Sequence, residues 1–291
     1  MTESLEDKAV RLIRTAAIQL PDDVKDALKK ACSREESEIG KLTLEALLKS
    51  VDLSEQEGTP ICQDTGSIVF YVRGACPMRG LEEALSKATA RATVEVPLRA
   101  NMVDPFTGEN TGDNLGQFSP FFIWESNPHR NSVELTVVLK GAGSDNQTTL
   151  SMLNPTEGID AIENLVLNRV VEAGGKSCPP TIIGIGIGGS SDVAVLLSKK
   201  ALLRRIGSRN PNPRVAELER YLLERVNSTG IGPMGLGGTT TSLGVNVGWA
   251  HRHIASLPVA VTMSCWALRR ASITLSGSDI SETKKAGDGR R

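Results

Sequence analysis

The stretch that decides the fold is Ile182-Ile183-Gly184-Ile185-Gly186-Ile187-Gly188-Gly189, an apolar run that ends in paired glycines. Residues 182–187 predict a buried strand, because a short continuous apolar run bounded by glycine is typical of one. The segment 193–206 that follows has apolar residues at helical spacing and predicts a helix. A buried strand that leads through a glycine turn into a helix indicates an α/β protein.

Elements on both sides of this stretch extend the same pattern. Three helices are expected within the first fifty residues, where apolar side chains recur at helical spacing and Pro21 ends the first run. The other expected elements are strands at 68–72, 133–139 and 258–263, helices at 81–92, 159–170 and 215–226, and loops at 101–120, 141–146 and 230–244. We therefore expect one α/β mixed domain over residues 1–278 with a helical N-terminal part, and a polar C-terminal tail over 279–291.

The composition excludes several classes of function. The 291 residues are 40% hydrophobic and 23% charged, with a formal net charge of -1, which gives no electrostatic reason for a nucleic acid or an anionic membrane as partner. An aromatic content of 3% argues against surfaces that stack bases. Residues 1–11 are charged and predict no secretory signal, and no stretch approaches the roughly 20 apolar residues of a membrane span. We expect a cytoplasmic protein.

The five cysteines are an odd number, widely scattered, in a chain with no expected export signal. This pattern favours free thiols or metal ligands over disulfides. Cys32 shares a helix face with Val24 and Leu28, and Cys76 lies in a turn-like stretch. Both are interpreted as structural, because a free cysteine commonly serves as a small buried hydrophobe.

The remaining three cysteines, Cys62, Cys178 and Cys265, each lie in a loop or beside an expected strand, where a side chain can project into a site. None forms a Cys-x-x-Cys pair, so their spacing alone leaves open whether they bind a metal. The chemistry of three thiolates is nevertheless informative. A cubane cluster held by three thiolates leaves one iron open to hydroxyl and carboxylate oxygens, which it can polarise as a Lewis acid.

At these cysteines the chain resembles the α subunits of class I fumarases and L-tartrate dehydratases. The matching segments occur in the same order from about residue 8 to 278, and they are Pro60-Ile61-Cys62-Gln63-Asp64-Thr65-Gly66, Asn110-Thr111-Gly112-Asp113-Asn114, Cys178-Pro179-Pro180, Gly184-Ile185-Gly186-Ile187-Gly188-Gly189, Gly230-Ile231-Gly232-Pro233 and His253-Ile254-Ala255-Ser256-Leu257-Pro258-Val259-Ala260. The resemblance implies a class I fumarase N-terminal-domain-like fold. It also implies a [4Fe-4S] cluster bound by Cys62, Cys178 and Cys265.

The same resemblance implies the residues that face the substrate. Gln63 and Asp64 follow the first cysteine ligand, Arg99 corresponds to a substrate-binding arginine, Gly143 to a backbone contact, and His253 to an active-site histidine. We assign catalysis to Asp64 and His253, and substrate binding to Gln63, Arg99 and Gly143.

The residues themselves allow these roles without requiring them. A carboxylate such as Asp64 could remove the proton beside a substrate carboxylate, although an aspartate before Thr65-Gly66 is also typical of a turn. Arg99 could pair bidentately with a substrate carboxylate, although an exposed arginine at a helix end is its alternative. His251, two residues before His253, stays a second candidate for the histidine.

The implied function is that of a hydro-lyase, most closely fumarate hydratase, which hydrates fumarate reversibly to malate. Two departures leave the substrate open. The loop Gly141-Ala142-Gly143-Ser144-Asp145-Asn146 has an alanine where fumarases have glycine, and Cys265-Trp266-Ala267-Leu268-Arg269-Arg270 looks more like tartrate dehydratases. The alternatives are therefore L-tartrate dehydration or a reaction on another small dicarboxylate such as mesaconate. Single-chain relatives carry a further substrate-binding domain, so a separate β subunit is expected as partner.

Two remote alternatives use the same residues. Gly184, Gly186 and Gly189 spell G-x-G-x-x-G, as in an NAD-binding enzyme, but the first glycines interrupt the expected strand and residues 204–209 contain no acidic residue. Tight backbone packing is a sufficient account of these glycines. A non-catalytic iron–sulfur sensor would leave Asp64 and the other candidate site residues without a shared role, and no DNA-reading module accompanies them.

Overall fold

The computed structural model describes residues 3–74, 78–126, 132–277 and 279, and the chain divides into two units. Unit 1 comprises Met1–Pro21, Val51–Lys140 and Arg269–Arg291, and unit 2 comprises Asp22–Ser50 and Gly141–Leu268. Cys76 and residues 280–291 of the expected tail lie outside the described residues, so the predictions for them stay predictions.

The described helices are α1 (Leu5–Ile18), α2 (Asp22–Arg34), α3 (Glu38–Glu57), α4 (Met78–Glu95), α5 (Ala142–Asp145), α6 (Gly158–Ala173), α7 (Ser191–Ala201) and α8 (Pro213–Asn227). The described strands are β1 (Ser67–Arg73), β2 (Phe121–Glu125), β3 (Val133–Lys140), β4 (Thr149–Leu153), β5 (Thr181–Ile187), β6 (Ser242–Trp249), β7 (Leu257–Ser264) and β8 (Arg269–Leu275). Each unit has one four-stranded mixed sheet, which confirms the prediction of a mixed α/β fold. None of the described helices combines the length and apolar content needed to cross a membrane.

The sheet of unit 1 has the strand order β2-β1-β3-β8. Alternate residues of β1 are buried, and helices α1 and α4 contribute to the same hydrophobic core. The register aligns Ile68 with Leu139 and Leu139 with Arg269, so these three residues form one row across the sheet. This row lies at the end of the sheet where β1 and β8 begin and β3 finishes.

Helix α1 runs along this sheet in the direction opposite to β8. Near its start, Lys8 forms an ion pair of 2.5 Å with Asp279, which follows the end of β8. Near its end, the carbonyl oxygen of Ala17 accepts a hydrogen bond of 2.9 Å from the N–H of Ile61. The residues just before Cys62 are thereby fixed at the end of unit 1 where β8 begins.

The sheet of unit 2 has the strand order β4-β7-β5-β6. Ile183 and Ile185 of β5 pack into a core with residues of α6 and α8. Gly184 and Gly186, which point to the opposite face, lie directly beneath the backbone of α7. A Cβ atom on Gly186 would lie 1.9 Å from the carbonyl oxygen of Ala194, so only glycine permits this approach of helix to strand.

Two details of the expected helices were wrong. The helix expected over 193–206 ends at Ala201, where the side-chain amide of Asn246 donates to the Ala201 carbonyl oxygen and takes over a bond that a further helical turn would make. In α3 the spacing of Ile39, Leu42 and Leu47 predicts one apolar face, but Ile39 and Leu42 are exposed, and Leu44 is buried instead.

Candidate functional site

In unit 1 the candidate residues Cys62, Gln63 and Asp64 lie in the turn between α3 and β1. Oδ1 of Asp64 accepts a hydrogen bond of 2.8 Å from the N–H of Gly66, whose φ of +74° is the left-handed backbone that glycine adopts readily. Asp64 therefore does form the turn considered as its alternative role. Cys62 and Asp64 are half-buried and Gln63 is exposed, so their side chains border solvent.

A second contact connects this turn to the loop that contains Arg99. The side-chain amide of Asn101 donates a hydrogen bond of 2.8 Å to Oδ1 of Asp64. The backbone of the loop is fixed by the fully buried Asn114, which accepts from the N–H of Asn101 at 2.8 Å and donates to the carbonyl oxygen of Arg99 at 3.2 Å. Unit 1 thus brings Asp64 and the Arg99 backbone into one bonded cluster, while the Arg99 side chain is exposed.

Asn101 and Asn114 belong to this bonded cluster, and no role was expected for them from the sequence. The stretch 101–120 was predicted as a loop, which the structure confirms, but no role was given to its asparagines. One signal was available, because Asn114 ends a segment that resembles the family. Its backbone has a φ of +62°, a conformation that asparagine tolerates better than most residues.

In unit 2 the pairing of two neighbouring strands brings Cys178 and Cys265 to the same end of the sheet, where β5 begins and β7 finishes. Cys178 precedes β5, Cys265 follows β7, and these antiparallel strands pair Ile182 with Ser264. The N–H of Trp266 donates a hydrogen bond of 3.2 Å to the carbonyl oxygen of Cys178, which ties the two cysteine segments directly together.

The backbone at Cys178 adopts an uncommon conformation. Its φ of +51° and ψ of +65° lie in the left-handed region. This conformation costs energy for most residues other than glycine and asparagine. The surrounding turn is supported by the glycine-rich loop, since the N–H of Met234 donates to the Pro179 carbonyl oxygen at 2.7 Å. A Cβ on Gly235 would lie 2.7 Å from the Cα of Gly175, so these two backbones are in direct contact.

Gly143 lies at this same end of the sheet. A Cβ atom added to it would lie 3.2 Å from the carbonyl oxygen of Lys176, two residues before Cys178. The carbonyl oxygen of Gly143 accepts a hydrogen bond of 3.3 Å from the side-chain amide of Gln147. The structure therefore places Gly143, Cys178 and Cys265 together in unit 2.

His253 lies elsewhere in unit 2. It belongs to the exposed loop between β6 and β7, at the opposite end of the sheet from the two cysteines. The seven residues of β5 separate these ends by about 20 Å, given the rise of a strand. Nδ1 of His253 accepts a hydrogen bond from the N–H of Ala255, and His251, in the same loop, packs its ring edge-on against Trp249. Neither histidine lies at the end of the sheet that carries Cys178 and Cys265.

The thiols fit an iron–sulfur cluster by their chemistry. Cys62, Cys178 and Cys265 are half-buried and form no disulfide, and three thiolates are the donor set that leaves a cubane cluster with one open iron. Cys32 differs, because burial raises the pKa of its thiol and nearby Glu45 raises it further, which disfavours the thiolate. Among the described residues, no three His, Cys, Asp or Glu side chains converge as ligands of a single metal ion.

Comparison with known proteins gives consistent results along nearly the whole chain. Residues 6–274 match the model of the fumarate hydratase (Fumerase) family. The chain is 46% identical over 273 residues to the putative L(+)-tartrate dehydratase subunit alpha of Methanocaldococcus jannaschii, covering 92% of this chain and 96% of that protein. It is 37% identical over 301 residues to the L(+)-tartrate dehydratase subunit alpha of Escherichia coli strain K12, covering 98% and 99% respectively.

Proposed function

Because the chain belongs to the fumarate hydratase (Fumerase) family, we propose that it is the α subunit of a [4Fe-4S] hydro-lyase that dehydrates L-tartrate. The reaction class, a hydro-lyase, follows from the family itself. The family likewise implies an iron–sulfur cluster in general. The finer parts of the proposal are the substrate, the cluster type, the ligands, the site residues and the class I fumarase-like fold.

One observation carries the choice of L-tartrate over fumarate. The relatives that match almost the entire chain, at 46% and 37% identity, are named as tartrate dehydratase subunits. Fumarate hydration was the first expectation from the sequence, and these relatives support its alternative, L-tartrate dehydration, better. The segment that begins at Cys265 agrees with them, since it resembles tartrate dehydratases. Fumarate hydration stays the second candidate because the family model is that of fumarate hydratase.

In this proposal Cys62, Cys178 and Cys265 hold the cluster. When bound, the cluster supplies an iron without a protein ligand, which acts as a Lewis acid toward the hydroxyl group that leaves. The support is that all three thiols are half-buried and form no disulfide, and that Cys178 and Cys265 lie at the same end of their sheet.

Asp64 is proposed as the base that removes the proton from the carbon beside the leaving hydroxyl group. Its orientation is held by the two donors described above, Gly66 and Asn101, so the carboxylate is positioned before substrate arrives. Loss of water from L-tartrate gives an enol that rearranges to oxaloacetate. The exposed Arg99 is proposed to bind a substrate carboxylate, with Gln63 and the backbone of Gly143 as further contacts.

His253 needs a different account. It lies about 20 Å from the cysteine end of the sheet in its own unit, by the rise of a strand, so we propose that His253 acts in the site of another chain of the assembly. We also propose a separate β subunit as partner, because the relatives are named as α subunits. The cytoplasmic location expected from the sequence stays a proposal.

The test is to purify the chain anaerobically with its β subunit, reconstitute the cluster, and assay L-tartrate, malate and fumarate. We expect kcat/KM for L-tartrate to exceed that for malate at least about tenfold, which corresponds to about 1.4 kcal/mol in transition-state binding. Preferential interconversion of malate and fumarate would establish the second candidate instead. A loaded cluster without turnover of any of the three would contradict both.

A further inference from the structure

Arg269, the first residue of β8, is among the largest fully buried side chains of the protein and is 1% exposed. Its Nε and Nη1 atoms are buried and have no hydrogen-bond partner among the described residues. A buried guanidinium with two nitrogens left unbonded is costly, and native proteins pair such groups.

Two other arginines show the ordinary arrangement. Arg169 and Arg204 also have an unpaired Nε, but each contacts an acid through another nitrogen. Nη2 of Arg204 lies 2.6 Å from the carboxylate of Glu219, and Nη1 of Arg169 lies 3.3 Å from that of Glu172. Arg269 has no such ion pair among the described residues, so its charge is suited to an anion that comes from outside the chain.

The sheet register places Arg269 at a definite end of unit 1. It pairs with Leu139, which pairs with Ile68, so Arg269 lies two strand spacings, about 10 Å, from Ile68. The side chains of this row point to one face of the sheet, toward α1 and α4. Ile68 follows Asp64 by four residues along the chain.

The helices of unit 1 identify the same end independently. The last turn of α1 is bonded to Ile61, next to Cys62, while its first turns lie near Asp279 beyond the other end of β8. Helix α4 finishes beside α1, because Nη2 of Arg14 donates to the carbonyl oxygen of Glu95 at 2.6 Å. The chain continues from there to Arg99. Arg269, Asp64 and Arg99 therefore belong to one end of unit 1.

We propose that Arg269 is a substrate-binding residue that donates two parallel hydrogen bonds to one carboxylate of the dicarboxylate, while Arg99 binds the other. This inference rests on the proposed function and deepens it. A dicarboxylate has two anionic ends, and a planar guanidinium matches a carboxylate bidentately. The arrangement also offsets the cost of the buried cation, since the substrate carboxylate supplies a negative charge and an acceptor for one of the two unbonded nitrogens.

The experiment compares Arg269→Met and Arg269→Lys in the complete αβ complex, with Arg204→Met as the matched control. For Arg269→Met we expect Tm to equal or exceed that of the wild type, because an apolar side chain of similar length removes an unpaired buried charge. We expect KM for L-tartrate to rise about 100-fold with kcat changed less than tenfold, and the rise of Tm caused by L-tartrate to disappear. Arg269→Lys keeps the charge without the fork, so its KM lies between the two.

The control should behave in the opposite way. Arg204→Met leaves the buried Glu219 without its cation, so Tm falls while KM is unchanged. If Arg269→Met fails to fold, or has a lower Tm with an unchanged KM, the proposal is overturned, because the guanidinium would then be structural. Weaker association with the β subunit at unchanged KM would overturn it too, since the acceptor would be a carboxylate of the partner.

Failure of the proposed function gives a separate result. If the wild-type complex does not turn over L-tartrate, but malate or another dicarboxylate raises its Tm and Arg269→Met abolishes that rise, the substrate assignment is wrong and the role of Arg269 stands. If no dicarboxylate changes the Tm of the wild type, both fail together.

Discussion

The side-chain amide of Asn101 donates a hydrogen bond of 2.8 Å to Oδ1 of Asp64, a residue 37 positions earlier in the chain. The N–H of Gly66 donates a second bond of the same length to the same oxygen. Two donors on one oxygen restrict the rotation of the carboxylate. The direction of the proposed base is therefore set by a loop residue that itself has no acid–base chemistry.

Asp64→Asn tests the base directly. The amide oxygen of asparagine can still accept both hydrogen bonds, so the turn and the Tm are retained. Because the variant cannot take up a proton, kcat should fall by about 10²- to 10⁴-fold with the cluster spectrum unchanged. Steady-state kinetics on the loaded αβ complex measures this, and retention of more than a tenth of the activity would assign the base elsewhere.

Asn101→Ala tests the orientation of that base. Removal of the amide frees one side of Asp64, and we expect kcat to fall about fivefold with KM little changed, since the lost bond is worth about 1 kcal/mol. Asn110→Ala is the matched control, because its amide binds the carbonyl oxygen of Ala100 in the same loop and makes no contact with Asp64 that the structure describes. Equal losses in both variants would mean that the loop as a whole, and not the Asn101 contact, matters.

Substitution of the three candidate ligands tests the cluster. Cys62→Ser, Cys178→Ser and Cys265→Ser should each bind less iron and sulfide after reconstitution and lose the visible absorbance of the cluster. Cys32→Ser should keep the iron, the sulfide and the visible absorbance, because the raised pKa of Cys32 disfavours the thiolate form that binds iron. Full iron content in any one of the three variants would remove that cysteine from the ligand set.

The contact of β5 with α7 predicts a steep loss of stability in Gly186→Ala. The added methyl would lie 1.9 Å from the carbonyl oxygen of Ala194, so the helix must move away and unfolding should become easier by about 3 kcal/mol or more. Gly244→Ala in β6 is the control, since its Cβ would be 3.5 Å from Ile206, an ordinary contact. Urea titration compares the two.

Added NAD should leave the Tm of the wild type unchanged, because the G-x-G-x-x-G motif of Gly184, Gly186 and Gly189 serves this packing.

Glu35 predicts a pH-dependent stability. Its burial opposes ionisation, but hydrogen bonds from the N–H groups of Thr239, Ser37 and Thr240 hold the pKa of Glu35 below its ordinary value. A pKa lowered by folding means that the stabilisation is complete above the unfolded value, about 4.3, and is lost as the pH falls through the lower folded value.

Glu35→Gln should therefore unfold more easily at pH 7, by about 1–2 kcal/mol, and the difference from the wild type should narrow below about pH 4. Urea unfolding at pH 7, 5 and 3 measures the difference, with the substitution Glu36→Gln at an exposed neighbour as control. A difference that stays constant with pH would show that the charge of Glu35 does not matter.

The fold was predictable from sequence at the centre of each sheet and not at its edges. The strands expected from apolar runs, β1, β3, β5 and β7, are all central, whereas the four that were missed, β2, β4, β6 and β8, are all edge strands. The central strands β5 and β7 are buried nearly throughout and appear as apolar runs, and β1 and β3 have a buried residue at least at every second position. Edge strands are less uniform, since β8 begins with Arg269 and Arg270 and β6 contains Gly244 and Asn246.

The candidate site was predictable in part, for a related reason. Resemblance identified the cysteines, but the meeting of Cys178 with Cys265 depends on the pairing of strands far apart in sequence, which no local pattern contains. Asn101 looks like an ordinary loop asparagine until its partner is known. The place of His253 at the far end of the sheet is also a matter of register, so spacing along the chain could not predict it.

The ladder between β5 and β7 has a consequence for the life of the enzyme in air. Both strands are almost entirely buried and owe their order to aliphatic packing, so Cys178 and Cys265 stay in register without any metal. Small zinc domains differ, because they unfold when the ion leaves. If the chain holds the proposed cluster and oxygen destroys it, this ladder should stay intact with the two candidate ligands in place, and fresh iron and sulfide should restore the cluster without a cycle of unfolding or new synthesis.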